Sequence, residues 1–388
     1  MLNRLKGVLA DFFQQADLML LGLCSVATVF GIVLIFSATQ YKNDPRYVIV
    51  QTAALLLGIC AYIGFSMVNL DILMKKWKWI LAFNVGFILL LLTPLGRSVG
   101  GNRAWLKFPG IPISIGPAEV VKITFVLLLA WQLAWLREER RDLRSFRSAA
   151  FTAAHAFGLC GLYFIVSSDM GNGLVFLFIF MCMAFVAGYA IRWFVLLLGG
   201  GTAAVAVAWQ LDLILPHMRN RFLVLFDHSY QPLDAGWQQT RSLLTLGSGG
   251  LFGQGYLNGT QTQSSYSGSL PARWTDFIFS AAGEELGMFG CIAIMALLAA
   301  IILRVLLVAK NAQTLFHCYV CVGMAAMLIF QTVINIGMCL FVMPVIGITL
   351  PFFSYGGSSI VTLYMAMGVV SGIKKRSPTM RRPGHPLR

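Results

Sequence analysis

Residues Met1–Phe36 read MLNRLKGVLADFFQQADLMLLGLCSVATVFGIVLIF. A basic start gives way at Leu18 to an apolar run of the length, about 20 residues, that a helix needs to cross a bilayer. The run is too long for the apolar part of a secretory signal, and no small-residue cleavage pattern follows it. It reads as a first membrane helix spanning about 18–38. Working outward, further apolar segments lie at about 47–68, 78–95, 117–136, 149–167, 171–189, 193–215, 277–303, 315–341 and 357–373. Of the 388 residues, 58% are hydrophobic and 11% charged. Soluble domains carry about 25% charged residues, so this chain has too few polar side chains to cover a globular surface. The runs are continuous, without the ten-residue alternation of a membrane barrel. The expected fold is an all-α polytopic membrane protein, a single transmembrane domain over 1–388 with about ten transmembrane helices.

The net charge is +14. In a soluble protein this would point to nucleic acid; here its placement sets topology, and no nucleic-acid partner is expected. With both termini inside, 19 of the 29 Lys and Arg fall on cytoplasmic segments, including a basic tail over 374–388. That bias favours an N-in, C-in arrangement. Of the remaining ten basic residues, seven gather in two outer places. One is the loop GRSVGGNRAWLKFPGIPISIGP (96–117). The other is 216–276, a large extracytoplasmic loop between the seventh and eighth helices. An ordinary loop has no need of them, whereas an anionic ligand on the outer face would. All eight Cys lie in apolar segments, so no disulfide framework is indicated.

The unusual residues collect at the outer helix ends. In GPAEVVKI (116–123), Glu119 and Lys122 are three apart and share a helix face. Ionisable residues inside a membrane are functional candidates by default; the pair either touches substrate or neutralises itself and supports the bundle. In SSDMGNG (167–173), Asp169 reads as a helix cap, or as a supporting group of a polar site. PARWTDFIFSAAGEELG (271–287) sets Asp276, Glu284 and Glu285 against apolar neighbours. Thr275 or Asp276 suits the N-cap of the eighth helix. Equally, a desolvated Asp276 carboxylate suits a general base. At least one of Glu284 and Glu285 should face the bundle interior. MPVIGITLPFFSYGGSS (343–359), broken by Pro344 and Pro351, reads as a re-entrant segment closing one side of a cavity. The glycines from Gly247 to Gly255 lack the Lys-Ser/Thr of a phosphate loop and read as turns. His317, Cys318 and Cys321 resemble a metal set but lie inside a helix, and no metal site is expected.

Together GNRAWLKF, GPAEVVKI, SSDMGNG, GWQQTRSLLTLGSGGLFGQGYLNGTQTQ, PARWTDFIFSAAGEELG and PVIGITLPFFSYGGSS resemble the shape, elongation, division and sporulation family of bacterial cell-wall proteins, and lean toward its RodA branch. The resemblance covers nearly the whole chain. It implies a multi-pass protein of the bacterial plasma membrane with peptidoglycan glycosyltransferase activity, polymerising lipid II on the outer face for cell elongation and shape or for division. It also implies a class B penicillin-binding protein as partner. It makes Asp276 the catalytic residue and carries Glu119, Lys122 and Asp169 over from matching motifs, although Ala118, Ser168, Asn172, Trp274 and Arg241 depart from the family pattern. With lipid II as substrate, Lys122, Arg103, Arg219 and Arg221 become candidates for the leaving pyrophosphate, and Glu285 a further substrate-side group. A divalent cation, Mg2+ or Mn2+, could share that role, but the sequence contains no dedicated cage. The competing reading is a lipid II flippase or another precursor transporter; it requires ionisable residues along a path to the cytoplasmic side.

Overall fold

Each expected apolar segment is a helix in the computed structural model, which describes residues 16–99, 102–108, 114–139, 143, 145–214, 216–227, 236–266 and 268–376. The helices are α1 (Leu18–Thr39), α2 (Arg46–Met67), the short α3 (Leu70–Met74), α4 (Trp77–Leu89), α5 (Pro117–Glu138), α6 (Phe146–Ser167) and α7 (Met170–Ala187). They continue as α8 (Ile191–Gln210), α9 (Pro216–Phe226), α10 (Trp237–Ser248), α11 (Ile278–Lys310), α12 (Leu315–Cys339) and α13 (Gly357–Arg376). By length and composition 8 of them could cross a membrane, with α4 shorter. The basic N-terminal stretch holding Arg4 and Lys6, and the tail beyond Arg376, lie outside the described residues.

Local chemistry starts these helices where the sequence suggests. Asp17, Ser145, Asp169 and Thr314 each accept a backbone N–H in the first turn of α1, α6, α7 and α12, and Pro117 opens α5, where its missing N–H costs nothing. The α12 helix is central and packs on α5, α7 and α11, while α13 lies along α2. No residue of α8 is buried.

The helical expectation omits one element. The connection between α4 and α5 is a three-stranded antiparallel sheet, ordered β1 (Gly96–Val99), β2 (Asn102–Lys107) and β3 (Ser114–Ile115). Leu106 is fully buried beneath it. The large loop 216–276 is likewise partly helical, containing α9 and α10.

Helix α1 runs antiparallel to α11, and buried ionic contacts tie both ends. At one end Asp17, fully buried, receives Arg304 Nε at 2.8 Å and Nη2 at 3.1 Å, with Lys374 Nζ at 3.1 Å. This joins α1, α11 and α13. At the other end Ser37 donates to Glu285.

Near its start α11 breaks at Gly287 (φ 67°, ψ −163°). The break frees the Glu284 and Glu285 carbonyls, which accept from Gln254 N at 2.8 Å and Gly255 N at 3.1 Å. In exchange Met288 N donates to Gly250 O at 3.0 Å. The expected glycine turn is thus spliced into the helix backbone. A Cβ on Gly287 would lie 2.4 Å from Gly253 N, and its φ/ψ is essentially reserved for glycine. Gly287→Ala is expected to cost more than the ~1–3 kcal/mol of the backbone strain alone, read as a lower thermal midpoint of the detergent-extracted protein; an unchanged midpoint would contradict the splice.

Candidate functional site

The turn before α11 carries Asp276. Ala272 adopts a left-handed conformation (φ 43°), and its carbonyl accepts from Thr275 N at 3.0 Å and Phe277 N at 3.2 Å. The outward carbonyls are then held from elsewhere. Tyr355 N donates to Trp274 O at 2.8 Å, Ser354 Oγ to Thr275 O at 2.6 Å, and Asn335 Nδ2 to Asp276 O at 2.8 Å. The residue preceding α11 is Phe277, and no side chain caps that helix. The capping reading of Thr275 or Asp276 is therefore incorrect: the turn is closed by backbone bonds, which leaves the acid available.

Asp276 is half-buried, and among the described residues its carboxylate accepts no hydrogen bond. Loss of hydration pushes its pKa up to about 6, while the charge of Arg221 pulls the other way. Arg221, on α9, feels both Asp276 and Asp169, and desolvation lowers its own proton affinity. It lines a small hollow with Asn102, Ser168, Met170, Met218, Phe222, Pro344 and Ile346. Four separated stretches of chain meet there, including the Pro344 segment expected to close a cavity.

Asp169 is the cap of α7. It accepts from Asn172 N at 3.2 Å, Asn172 Nδ2 at 2.8 Å and Tyr163 OH at 3.0 Å. Its second expected role also has support, because Arg221 lies within its electrostatic reach. Tyr163 in turn senses Glu119. Lys122 is 0% exposed and donates to Glu119 Oε1 at 2.8 Å, while Ser359 Oγ approaches Glu119 Oε2 at 3.4 Å. The pair is self-neutralising and stands beside the Asp169–Tyr163 contact.

Three other expected residues point elsewhere. Arg103 donates to the Thr93 carbonyl at 3.1 Å, closing the end of the α4 segment. Arg219 pairs with Asp212 and stacks 4.9 Å from the Trp209 ring. Glu285 is buried and accepts from Ser37 Oγ and from Gln263 Nε2 at 2.8 Å. Asn102, Tyr163 and Asn335 were not anticipated. Asn102 adjoins Arg103 in a basic outer loop, which was its only signal; the other two are polar residues within apolar helices, which could have marked them.

A family model described as cell cycle protein, covering FtsW, RodA and SpoVE, matches residues 15–378. The chain belongs to this family. Stage V sporulation protein E of Bacillus subtilis (strain 168) is 32% identical over 368 residues, covering 93% of this chain and 97% of the relative. A probable peptidoglycan glycosyltransferase FtsW of Coxiella burnetii (strain RSA 493 / Nine Mile phase I) is 33% identical over 366 residues, covering 91% and 92%. Among solved structures, a chain of a peptidoglycan synthase complex that coordinates polymerization and crosslinking superposes with a TM-score of 0.76 at 29% identity, covering 92% of this chain and 97% of that one. Thermus thermophilus RodA superposes with a TM-score of 0.68 at 26% identity, covering 94% and 98%.

The electrostatics of this family member generate a direct test. Infrared difference spectra, with Asp276→Asn as the blank, should show the Asp276 carboxyl half-protonated at about pH 6. Because Arg221 favours the ionised form, Arg221→Gln should move that midpoint upward. A midpoint near 4 in both proteins would mean the carboxyl is fully hydrated.

Proposed function

We infer that this chain is a peptidoglycan glycosyltransferase that polymerises lipid II into glycan strands at the outer face of the bacterial plasma membrane, in which it is a multi-pass protein. The observation that carries the reading is the Asp276 carboxylate: without a hydrogen-bond donor among the described residues, of raised proton affinity, and within electrostatic reach of Arg221, which lines a hollow, in a family whose relatives are named as peptidoglycan glycosyltransferases.

In the proposed step the 4-hydroxyl oxygen of the acceptor sugar attacks C1 of the donor. The new C1–O bond forms as the bond from C1 to the pyrophosphate oxygen breaks, and C1 inverts. Asp276 accepts the hydroxyl proton, which its proton affinity suits near neutral pH. The departing lipid pyrophosphate gains negative charge, and fixed cations beside it favour the transition state. Arg221 is placed for this. Lys122 and Glu119 form a buried charged pair behind Asp169, and we assign them to holding that wall and its potential. Arg103, Arg219 and Glu285 are better suited to fixing the surrounding loops than to touching pyrophosphate. Among the described residues no three His, Cys, Asp or Glu side chains form a metal cage; Mg2+ or Mn2+ would accompany the pyrophosphate as a counter-ion.

A class B penicillin-binding protein is the proposed partner, supported by the similar chain found in a synthase complex that couples polymerization to crosslinking. A transporter would need charge along a path to the other membrane face. The buried charge there, Asp17, is instead occupied by Arg304 and Lys374.

Purified protein given labelled lipid II should yield a ladder of glycan polymer on a gel. Asp276→Asn should lower the rate by about 10²–10⁴-fold, the usual worth of a general base, without loss of extracted protein. Full polymer yield from that variant would reject the assignment.

A further inference from the structure

We propose that Arg273 and Glu284 are positioning residues that grip residues 260–264 from opposite sides and thereby aim the Asp276 carboxylate; this rests on the polymerase reading above. The argument begins with what Asp276 lacks. Among the described residues no hydrogen bond holds its carboxylate, so its direction is inherited from the backbone of the 272–277 turn. One side of that turn is fixed by Tyr355, Ser354 and Asn335. The other side is fixed by Arg273, three residues earlier.

Arg273 is 3% exposed, and among the described residues no acid lies within ion-pair distance. Its guanidinium donates to Gln261 O at 2.7 Å, Thr262 O at 2.5 Å, Ser264 O at 2.9 Å and Ser269 Oγ at 3.2 Å. It also sits 3.9 Å from the centre of the Tyr41 ring. Glu284, 0% exposed on the first turns of α11, meets the same segment from the N–H side. It accepts from Thr260 Oγ1 at 3.0 Å, Gln261 N at 2.8 Å, Thr262 N at 2.7 Å and Thr262 Oγ1 at 2.6 Å.

The Gln261 carbonyl and the Thr262 N–H belong to one peptide group. Its oxygen faces the cation and its N–H faces the anion. The two charges are therefore joined through an aligned peptide dipole, with the dipole strengthened by both and strengthening both in turn. Removing either charge leaves the other buried against neutral groups and loosens the segment between them. A loosened segment lets Arg273 shift, and the turn with it. Small misplacements of this kind cost rate more than binding.

The test uses Glu284→Gln, Arg273→Lys, Arg273→Met and the milder Thr262→Val, which deletes one donor to Glu284. In variants with wild-type extraction yield and thermal midpoint, kcat should fall ~10–10²-fold for Glu284→Gln and Arg273→Met, with KM for lipid II within about twofold. Arg273→Lys should recover part of the loss, and Thr262→Val should show a smaller loss of the same kind. Unchanged kcat in folded Thr262→Val and Arg273→Lys overturns the proposal, and so does a loss that merely tracks the unfolded fraction. Hydrogen exchange gives a readout independent of polymerisation. Glu284→Gln should deprotect amides in 260–264 and 272–277 together; deprotection of the first segment alone also overturns it. Wild-type protein that makes no polymer would instead count against the functional reading, and the exchange result would still decide this one.

Discussion

An ionised carboxylate placed among apolar helices must find donors or give up its charge, and three acids within ten residues of this chain meet that constraint differently. Glu284 is surrounded by hydroxyl and backbone donors. Glu285 takes Ser37 and Gln263. Among the described residues Asp276 takes none, and its burial away from water raises its proton affinity. Desolvation raises the proton affinity of a carboxylate. The same residue class in one motif thus divides into two anchored acids and one left without donors among the described residues.

The break at Gly287 makes this division possible. An unbroken helix would carry Glu284 and Glu285 on adjoining faces with no backbone free to meet the glycine turn. The exchange of hydrogen bonds across the break brings residues 250–263 over both acids, so the loop of greatest length is fastened to the helix that begins just after Asp276.

Much of the architecture was readable from hydropathy, because a bilayer demands long apolar runs and little else produces them. Every expected segment is a helix, and the Asp169 cap of α7 lies where residue chemistry placed it, with Pro117 opening α5. The sheet after α4 was hidden because its strands are two to six residues long and rich in Gly, Arg and Asn. At the site, motif position singled out Asp276, Glu119, Lys122 and Asp169, whereas Arg221 was one of several candidate cations, and charge alone could not say which of them face the hollow. Arg103 and Arg219 have the same composition signal as Arg221 and are consumed by a carbonyl and by Asp212. Arg273 had only its adjacency to Asp276 to recommend it. Its importance lies in which carbonyls it reaches, a property of tertiary packing.

The cluster of Asp17, Arg304 and Lys374 has a mechanical meaning. It pins α1, α11 and α13 to one point at the end of the bundle remote from Asp276. The Ser37–Glu285 contact fastens α1 to α11 at the opposite extremity as well, so these two helices cannot swing apart as levers about either point. The pair forms a strut held at both tips, and anything that slips between helices must use another seam of the bundle.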